Sequence, residues 1–120
     1  MIAEKSLNHF AQVLRPLGLS EYEVRVFLAL IKNGPANYRN IAKESNVPTG
    51  KIYQVLSTLG AKGFVEIIQA KPKIYRAVEP KIALRRRLKQ LEEDFFELEQ
   101  KIREELPTLQ LQYSLKHDII

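Results

Sequence analysis

Residues 47–63, VPTGKIYQVLSTLGAKG, decide how the rest of the chain is interpreted. Apolar residues recur at helical spacing along one side of this stretch: Ile52, Val55, Leu56 and Leu59. That spacing predicts an amphipathic helix over residues 49–62. The other side is small, polar and uncharged apart from Lys51, whereas a solvated face usually carries several Glu and Lys. Short hydrogen-bonding groups suit the DNA major groove because they reach base edges without repelling phosphates. Taken alone, the stretch also fits an ordinary surface helix.

The composition is typical of a globular protein. The 120 residues are 45% hydrophobic and 28% charged, which leaves room for one domain plus an accessory element. There is no cysteine for a disulfide or a thiolate metal site, and His9 and His117 lie near opposite ends. The net charge of +5 favours a polyanionic partner. The start has no signal-peptide pattern and no apolar run reaches about 18 residues, so we expect no membrane span and a cytoplasmic location.

The segments before residue 47 predict three helices. An amphipathic pattern covers residues 3–17, and a largely apolar one runs from Ser20 to Asn33-Gly34. Ser20 and Glu23 have the spacing of a capping box. A short helix over residues 38–44 follows, and residues 45–48 form a tight turn in which Asn46 tolerates positive φ. Two short helices joined by about four residues have the spacing of a helix-turn-helix.

After Gly63 the pattern becomes extended. Residues 64–69 and 73–78 are rich in β-branched and aromatic side chains, which predicts a β-hairpin with a basic tip over residues 68–75. Its cations, Lys71, Lys73 and Arg76, could reach phosphates of an adjacent duplex. Hairpin tips are also commonly charged for solubility alone. The helix-turn-helix pattern before the hairpin favours the functional interpretation.

A long helix is predicted from Pro80 to Leu106. Its apolar residues are spaced 4, 3, 4, 3 and 4 apart, which is a heptad seam. They are Leu84, Leu88, Leu91, Phe95, Leu98 and Ile102. A helix of roughly 27 residues extends about 40 Å, more than a small domain covers. We therefore expect a homodimer paired through this seam, with packing on the chain's own N-terminal helix as the alternative.

The charges on the long helix are sorted, with a basic start and a more acidic second half. The helix dipole prefers the opposite order. The basic start could face DNA phosphates, or two antiparallel copies could pair basic with acidic halves. The last residues, 108–120, alternate as a strand does, although a frayed helix also fits. They could form an edge strand of a dimer or begin a further domain.

The sequence has no pattern for catalysis. It contains no glycine-rich phosphate loop, no metal-ligand spacing and no nucleophile with a base. We therefore expect neither an enzyme nor a bound cofactor or metal, and no particular small-molecule effector is indicated.

Residues 17–80 resemble the winged helix-turn-helix domain of the TrmB family of archaeal transcription regulators. The resemblance rests on LSEYE at residues 19–23, the Gly34-Pro35 break, Ile41-Ala42, Val47-Pro48, Tyr53 with Val55-Leu56, the Gly63 stop and residues 73–80. More distantly, the sequence is similar to MarR- and ArsR-type regulators. The expected fold is mainly α with a small β-hairpin. A winged helix-turn-helix with a leading helix would fill residues 1–80, and a long dimerisation helix with a short tail residues 81–120.

The resemblance implies that a homodimer binds double-stranded DNA, with helix 49–62 as reader in the major groove and hairpin 68–75 as wing on the backbone. The predicted base-contacting residues are Thr49, Gly50, Gln54 and Ser57. The predicted backbone-contacting residues are Tyr38, Arg39, Lys51, Tyr53, Lys71, Lys73 and Arg76.

Two departures from the family pattern qualify this expectation. Family members often carry a basic or polar residue where Gly50 stands, and larger members carry a sugar-sensing domain that this length does not hold. We therefore expect a stand-alone repressor or a coregulatory dimer without a sugar response. Two alternatives remain, a protein–protein interaction module and an architectural protein that coats DNA without sequence choice.

Overall fold

A computed structural model describes the backbone of residues 4–117 and the side chains from His9 to His117. The predicted helix start at residue 3 and the last three residues of the tail lie outside this range. The elements are α1 (Glu4–Leu14), α2 (Glu21–Asn33), α3 (Tyr38–Ser45), α4 (Thr49–Ala61), β1 (Val65–Ile68), β2 (Ile74–Ala77) and α5 (Pro80–His117). A mainly helical chain with one small antiparallel sheet confirms the predicted fold class. Two compact units are present, one ending at Leu88 and one beginning at Lys89.

Local capping sets the helix boundaries of the first unit. The Ser20 hydroxyl accepts a hydrogen bond from the Glu23 N–H at 3.2 Å, and the Glu23 carboxylate accepts one from the Ser20 N–H at 2.8 Å. This confirms the predicted capping box. Asn46 adopts the left-handed conformation (φ 58°) that turns the chain from α3 towards α4. Helix α1 ends at Leu14, earlier than predicted, and the Leu17 and Leu19 N–H groups both donate to the Leu14 carbonyl as the chain turns through Gly18, which has φ 91°.

The core of the first unit lies where α2, α3, α4 and the hairpin meet. Phe27 of α2 and Phe64 meet edge to face, with ring centroids 5.1 Å apart. Both side chains are fully buried, and such aromatic pairs stabilise beyond the area that they bury. The α4 side of this core consists of the predicted stripe, Ile52, Val55, Leu56 and Leu59, all of them buried. Burial of the stripe fixes the rotation of α4 about its own axis.

The hairpin is held to the helical part by a third extended segment. Strands β1 and β2 pair antiparallel with Glu66 opposite Arg76. Ala36 and Tyr75 exchange two backbone hydrogen bonds of 3.1 and 2.8 Å, which join the segment before α3 to β2. The wing is therefore connected to the helix-turn-helix through backbone as well as through side chains.

The start of α5 also belongs to the first unit. Ala83 is buried in its core, and the Arg87 guanidinium donates to the Leu17 carbonyl at 2.8 Å. Gly18, next to Leu17, has φ 91°, and an added Cβ would meet the Arg87 guanidinium at 2.7 Å. The loop between α1 and α2 therefore requires glycine at this position.

The second unit corrects the expectation for the tail. Helix α5 does not end at Leu106 but continues through Pro107 to His117, so the strand interpretation of residues 108–117 is wrong. Leu106, Leu109 and Tyr113 continue the three- and four-residue spacing that favours helix. A proline removes only its own N–H from the ladder, and the helix resumes after it. None of the described helices, α5 included, is long and apolar enough to cross a membrane.

Candidate nucleic-acid interface

The outer face of α4 is open to solvent as predicted. Thr49, Gly50, Gln54 and Ser57 are all exposed, and within the described residues no hydrogen bond engages the side chains of Gln54 or Ser57. Nothing lies within 4 Å of the position where a Cβ of Gly50 would stand, so the helix exposes its backbone at this residue. The face is a shallow surface of unengaged hydrogen-bonding groups.

A cluster of aromatic and cationic side chains joins the starts of α3 and α4. The Tyr38 and Tyr53 rings stack with centroids 4.6 Å apart and planes inclined by 31°. The Arg39 Nε donates to the Tyr38 hydroxyl at 3.1 Å. This hydrogen bond and the guanidinium charge hold the pKa of Tyr38 below its ordinary value, whereas loss of hydration and the neighbouring Tyr38 raise the pKa of Tyr53. Three of the predicted backbone-contacting residues therefore form one unit.

Lys51 is the cation on the first turn of α4. Its ammonium lies 5.8 Å from the centre of the Tyr22 ring, within the range of a cation–π contact. The Arg25 guanidinium lies 6.0 Å from the same ring centre and pairs with Glu21 at 2.9 Å. Tyr22 thus orients the lysine at the start of the predicted reading helix.

The hairpin places its cations in two different environments. Lys71 and Lys73 are exposed near the tip, and no ion pair engages them among the side chains that the structure describes. Arg76 instead pairs across the strands with Glu66, at 2.6 Å from Nη2 and 2.8 Å from Nε. Its charge is therefore already balanced, and its predicted role at the DNA backbone is the least supported of the three.

One contact that positions α4 was missed from the sequence. The Lys62 ammonium, just after α4, lies 2.6 Å from the Glu23 carboxylate and 2.7 Å from the Gly18 carbonyl. The Glu23 side chain is only 4% exposed. Burial raises the pKa of Glu23, but hydrogen bonds from Lys62 and from the Ser20 backbone outweigh it, so the pKa lies below its ordinary value. This buried pair fixes the end of α4 against the start of α2.

The exposure of the side chains in the predicted dimerisation seam differs along the helix. Leu84 packs partly against the core of the first unit. In the second unit, Phe95 is 69% exposed, and Leu98 and Ile102 are half exposed. Contiguous exposed apolar residues on a helix mark an interaction surface. Pairing through this seam stays a prediction.

In the described part of the chain, no cluster of three or more His, Asp and Glu residues could hold a metal ion.

The model of the family described as "Sugar-specific transcriptional regulator TrmB" matches residues 14–81, more than half of the chain. The chain is similar to the HTH-type sugar sensing transcriptional regulator TrmBL1 of Pyrococcus furiosus, with 38% identity over 106 residues. That alignment covers 82% of this chain and 31% of TrmBL1. The chain spans about a third of the length of the curated relatives that it matches.

Solved structures extend these likenesses. TrmBL2, described as an archaeal chromatin protein with a novel mode of DNA binding, is 30% identical with a TM-score of 0.74. The match covers 93% of this chain and 44% of that one. The MarR-family regulator SPO1453 from Silicibacter pomeroyi matches with a TM-score of 0.53 at 19% identity, over 79% of this chain and 71% of its own, and shares the fold alone. The family match and the likeness to TrmBL1 establish that the chain belongs to the TrmB family of transcriptional regulators, with its winged-helix DNA-binding fold.

Proposed function

We propose that the chain acts as a homodimer that reads double-stranded DNA, with one α4 helix per half-site in the major groove. The observation that carries the proposal is the open, uncharged polar face of α4 beside a hairpin with a basic tip. The relatives TrmBL1 and TrmBL2 are named as transcriptional regulators, so we propose transcription regulation rather than an enzymatic activity. A role on the chromosome implies a cytoplasmic location in a prokaryotic cell.

Base contacts are assigned to the outer face of α4. Gln54 stands on its second turn, and a glutamine amide can pair bidentately with adenine. Thr49 and Ser57 lie one helical turn or so to either side of it, and their hydroxyls can donate or accept. Gly50 adds no side chain and lets the helix backbone approach the groove closely. These groups supply sequence choice because each prefers particular base edges.

Backbone contacts are assigned to the cations around this face. Arg39 and Lys51 flank the start of α4, and Lys71 and Lys73 extend from the wing. About four phosphate contacts per half-site give eight in a dimer, so the slope of log affinity against log salt should be near −7. A slope shallower than about −2 would contradict this assignment.

The apolar residues of α5 form the dimer interface. In the second unit they follow one side of the helix from Leu91 to Ile102, and a seam of this kind is buried when a second copy pairs with it. A twofold dimer presents two α4 helices, and their half-sites are then separated by about 10 bp or a multiple of it. The operator should accordingly be palindromic.

A second candidate function is sequence-tolerant coating of DNA. The likeness to TrmBL2 favours it, since that protein is described as a chromatin protein. Coating proteins obtain most of their affinity from Lys and Arg against phosphates. The uncharged face of α4 therefore favours a sequence-reading regulator over this alternative.

Selection of bound fragments from random duplex DNA separates the two functions. A regulator should enrich a palindrome, whereas a coating protein should enrich no motif. Failure to bind any duplex at low salt would contradict both and would favour a protein-binding module.

Two variants divide the contacts further. Gln54→Ala should lower affinity for the enriched site about tenfold and leave random duplex unaffected. Lys73→Ala should weaken both duplexes alike and make the salt slope shallower. Gln12→Ala and Lys101→Ala, at exposed positions in α1 and α5, serve as matched controls. Equal losses on both duplexes for Gln54→Ala would refute the base-reading role.

A further inference from the structure

The side chains of Tyr38, Arg39 and Tyr53 contact one another, which residues that touch the DNA backbone separately would not need to do. Tyr53 is 56% exposed, yet its ring lies against Tyr38 at 4.6 Å. The Arg39 guanidinium is bonded to the Tyr38 hydroxyl at 3.1 Å and lies 5.7 Å from the centre of the Tyr38 ring. An exposed arginine normally samples many rotamers, and its contact with the hydroxyl end of Tyr38 restricts it.

The partner of Arg39 is neutral, which distinguishes it from several other arginines. Arg25, Arg76 and Arg103 each pair with a glutamate. No carboxylate pairs with Arg39 among the described residues. A tyrosine oxygen orients the guanidinium without cancelling its charge, and it uses only Nε, so the Nη donors make no hydrogen bond among the described residues. The Tyr38 O–H is a further donor at the same place.

We propose that Tyr38 and Tyr53 hold Arg39 as a preassembled clamp for one DNA phosphate, in which Tyr38 is a positioning residue. The inference rests on the proposed function and deepens it. The clamp spans both helices of the helix-turn-helix, because Tyr38 and Arg39 begin α3 and Tyr53 lies on α4. A phosphate bound there would therefore fix the register of α4 in the groove. Guanidinium groups recognise phosphate oxygens through paired N–H donors, and preorganisation lowers the entropy lost on binding.

Duplex binding by single variants tests the charge and the positioning separately. Arg39→Gln should weaken binding about tenfold and make the dimer's salt slope shallower by about 1.8, which is 0.9 for each copy. Tyr38→Phe keeps the ring stack but removes the acceptor oxygen, so affinity should fall about fivefold with the salt slope unchanged. Arg15→Gln, an exposed arginine of the first unit, is the matched control and should bind normally. Thermal melting should be unchanged in all three, because Arg15 and Arg39 are exposed and Tyr38→Phe keeps the ring that packs against the core.

The double variant of Tyr38 and Arg39 shows whether Tyr38 positions Arg39 or contacts DNA independently. In an Arg39→Gln background, Tyr38→Phe should cause no further loss, since there is no guanidinium left to orient. Duplexes with single neutral methylphosphonates should reveal one position that matters to the wild type but not to Arg39→Gln, and only weakly to Tyr38→Phe. Wild-type affinity in Tyr38→Phe, or losses that add in the double variant, would overturn the clamp while leaving the DNA-binding proposal intact. Absence of duplex binding by the wild type would overturn both.

Discussion

Replacing Lys62 by methionine isolates the buried ion pair between α4 and α2. Methionine keeps most of the apolar stem but removes the ammonium. The Glu23 carboxylate, 4% exposed, would then lose its 2.6 Å partner. Its second oxygen, Oε2, already has no hydrogen-bond partner among the described residues. The variant therefore leaves a buried carboxylate that has lost its charged hydrogen-bond donor.

The expected loss follows from how deeply the pair lies. Breaking a fully buried pair costs about 3–5 kcal/mol. The Lys62 side chain is 25% exposed, so water partly replaces it, and we expect Lys62→Met to lower the free energy of unfolding by about 2–3 kcal/mol at pH 7. The double variant Glu23→Gln/Lys62→Met should lose less than the sum of the single variants, because it leaves no charge behind.

The pH dependence gives the sharper test. The pKa of Glu23 lies below its ordinary value in the folded wild type, so the pair contributes stability above the unfolded pKa of about 4.3 and loses it as pH falls through the folded value. In Lys62→Met the ammonium no longer lowers the pKa of this carboxylate, so less of the effect of burial is offset and the pKa lies higher than in the wild type. The difference between the two proteins should therefore be largest at pH 7 and shrink as pH falls below about 4.3.

Urea unfolding at fixed protein concentration, followed by circular dichroism between pH 3.5 and 7, measures this difference. Lys101→Met, an exposed lysine of α5, is the matched control and should change stability by less than about 0.5 kcal/mol. A deficit in Lys62→Met that is equal at both ends of the pH range, or additive losses in the double variant, would refute the reasoning.

Four further variants test the core, two glycine positions and the seam. Phe64→Ala removes a fully buried ring and should lower the free energy of unfolding by about 3–5 kcal/mol in urea titration; a cost below about 1 kcal/mol would contradict the packing described. Gly18→Ala should cost about 1–2 kcal/mol by the same measurement, because φ 91° disfavours a side chain, whereas Gly50→Ala should not destabilise. Leu98→Lys should shift the proposed dimer towards monomer in sedimentation velocity, since a charge would enter the seam; an unchanged sedimentation coefficient would argue against pairing there.

The features that the sequence predicted correctly depend on residues close together in the chain. The capping box at Ser20 involves a partner three residues away, and Asn46 requires only its own tolerance of positive φ. The orientation of α4 follows from four apolar residues within two turns. Such features are determined by interactions between residues close in the chain, so a sequence pattern is enough to predict them.

The features that were missed depend on packing between distant segments. Glu23 and Lys62 are 39 residues apart, and nothing near either one indicates the other. The Tyr38–Tyr53 stack needs the crossing of α3 and α4, which helical spacing alone does not give. The pairing of Arg76 with Glu66 follows from the register of β1 and β2. The predicted hairpin, with its turn near residues 70–73, would have been enough to predict this pair.

The tail illustrates a conflict between two valid local signals. Leu109, Leu111, Tyr113 and Leu115 alternate as a strand does, and Pro107 normally ends a helix. The same stretch also fits helical spacing through Leu109 and Tyr113. An isolated strand has no hydrogen-bond partner, whereas a helix satisfies its backbone internally, so helix prevails here.

Pro107 lowers the cooperativity with which α5 unwinds at its C-terminal end. With no N–H at this residue, the Arg103 carbonyl loses its helical partner, and the hydrogen-bonded ladder is interrupted inside α5. The turns that follow can therefore fray without unwinding those before it. Hydrogen–deuterium exchange should accordingly divide the second unit into a protected segment up to about Leu106 and a faster one beyond it, so that the two ends of one helix differ in lifetime.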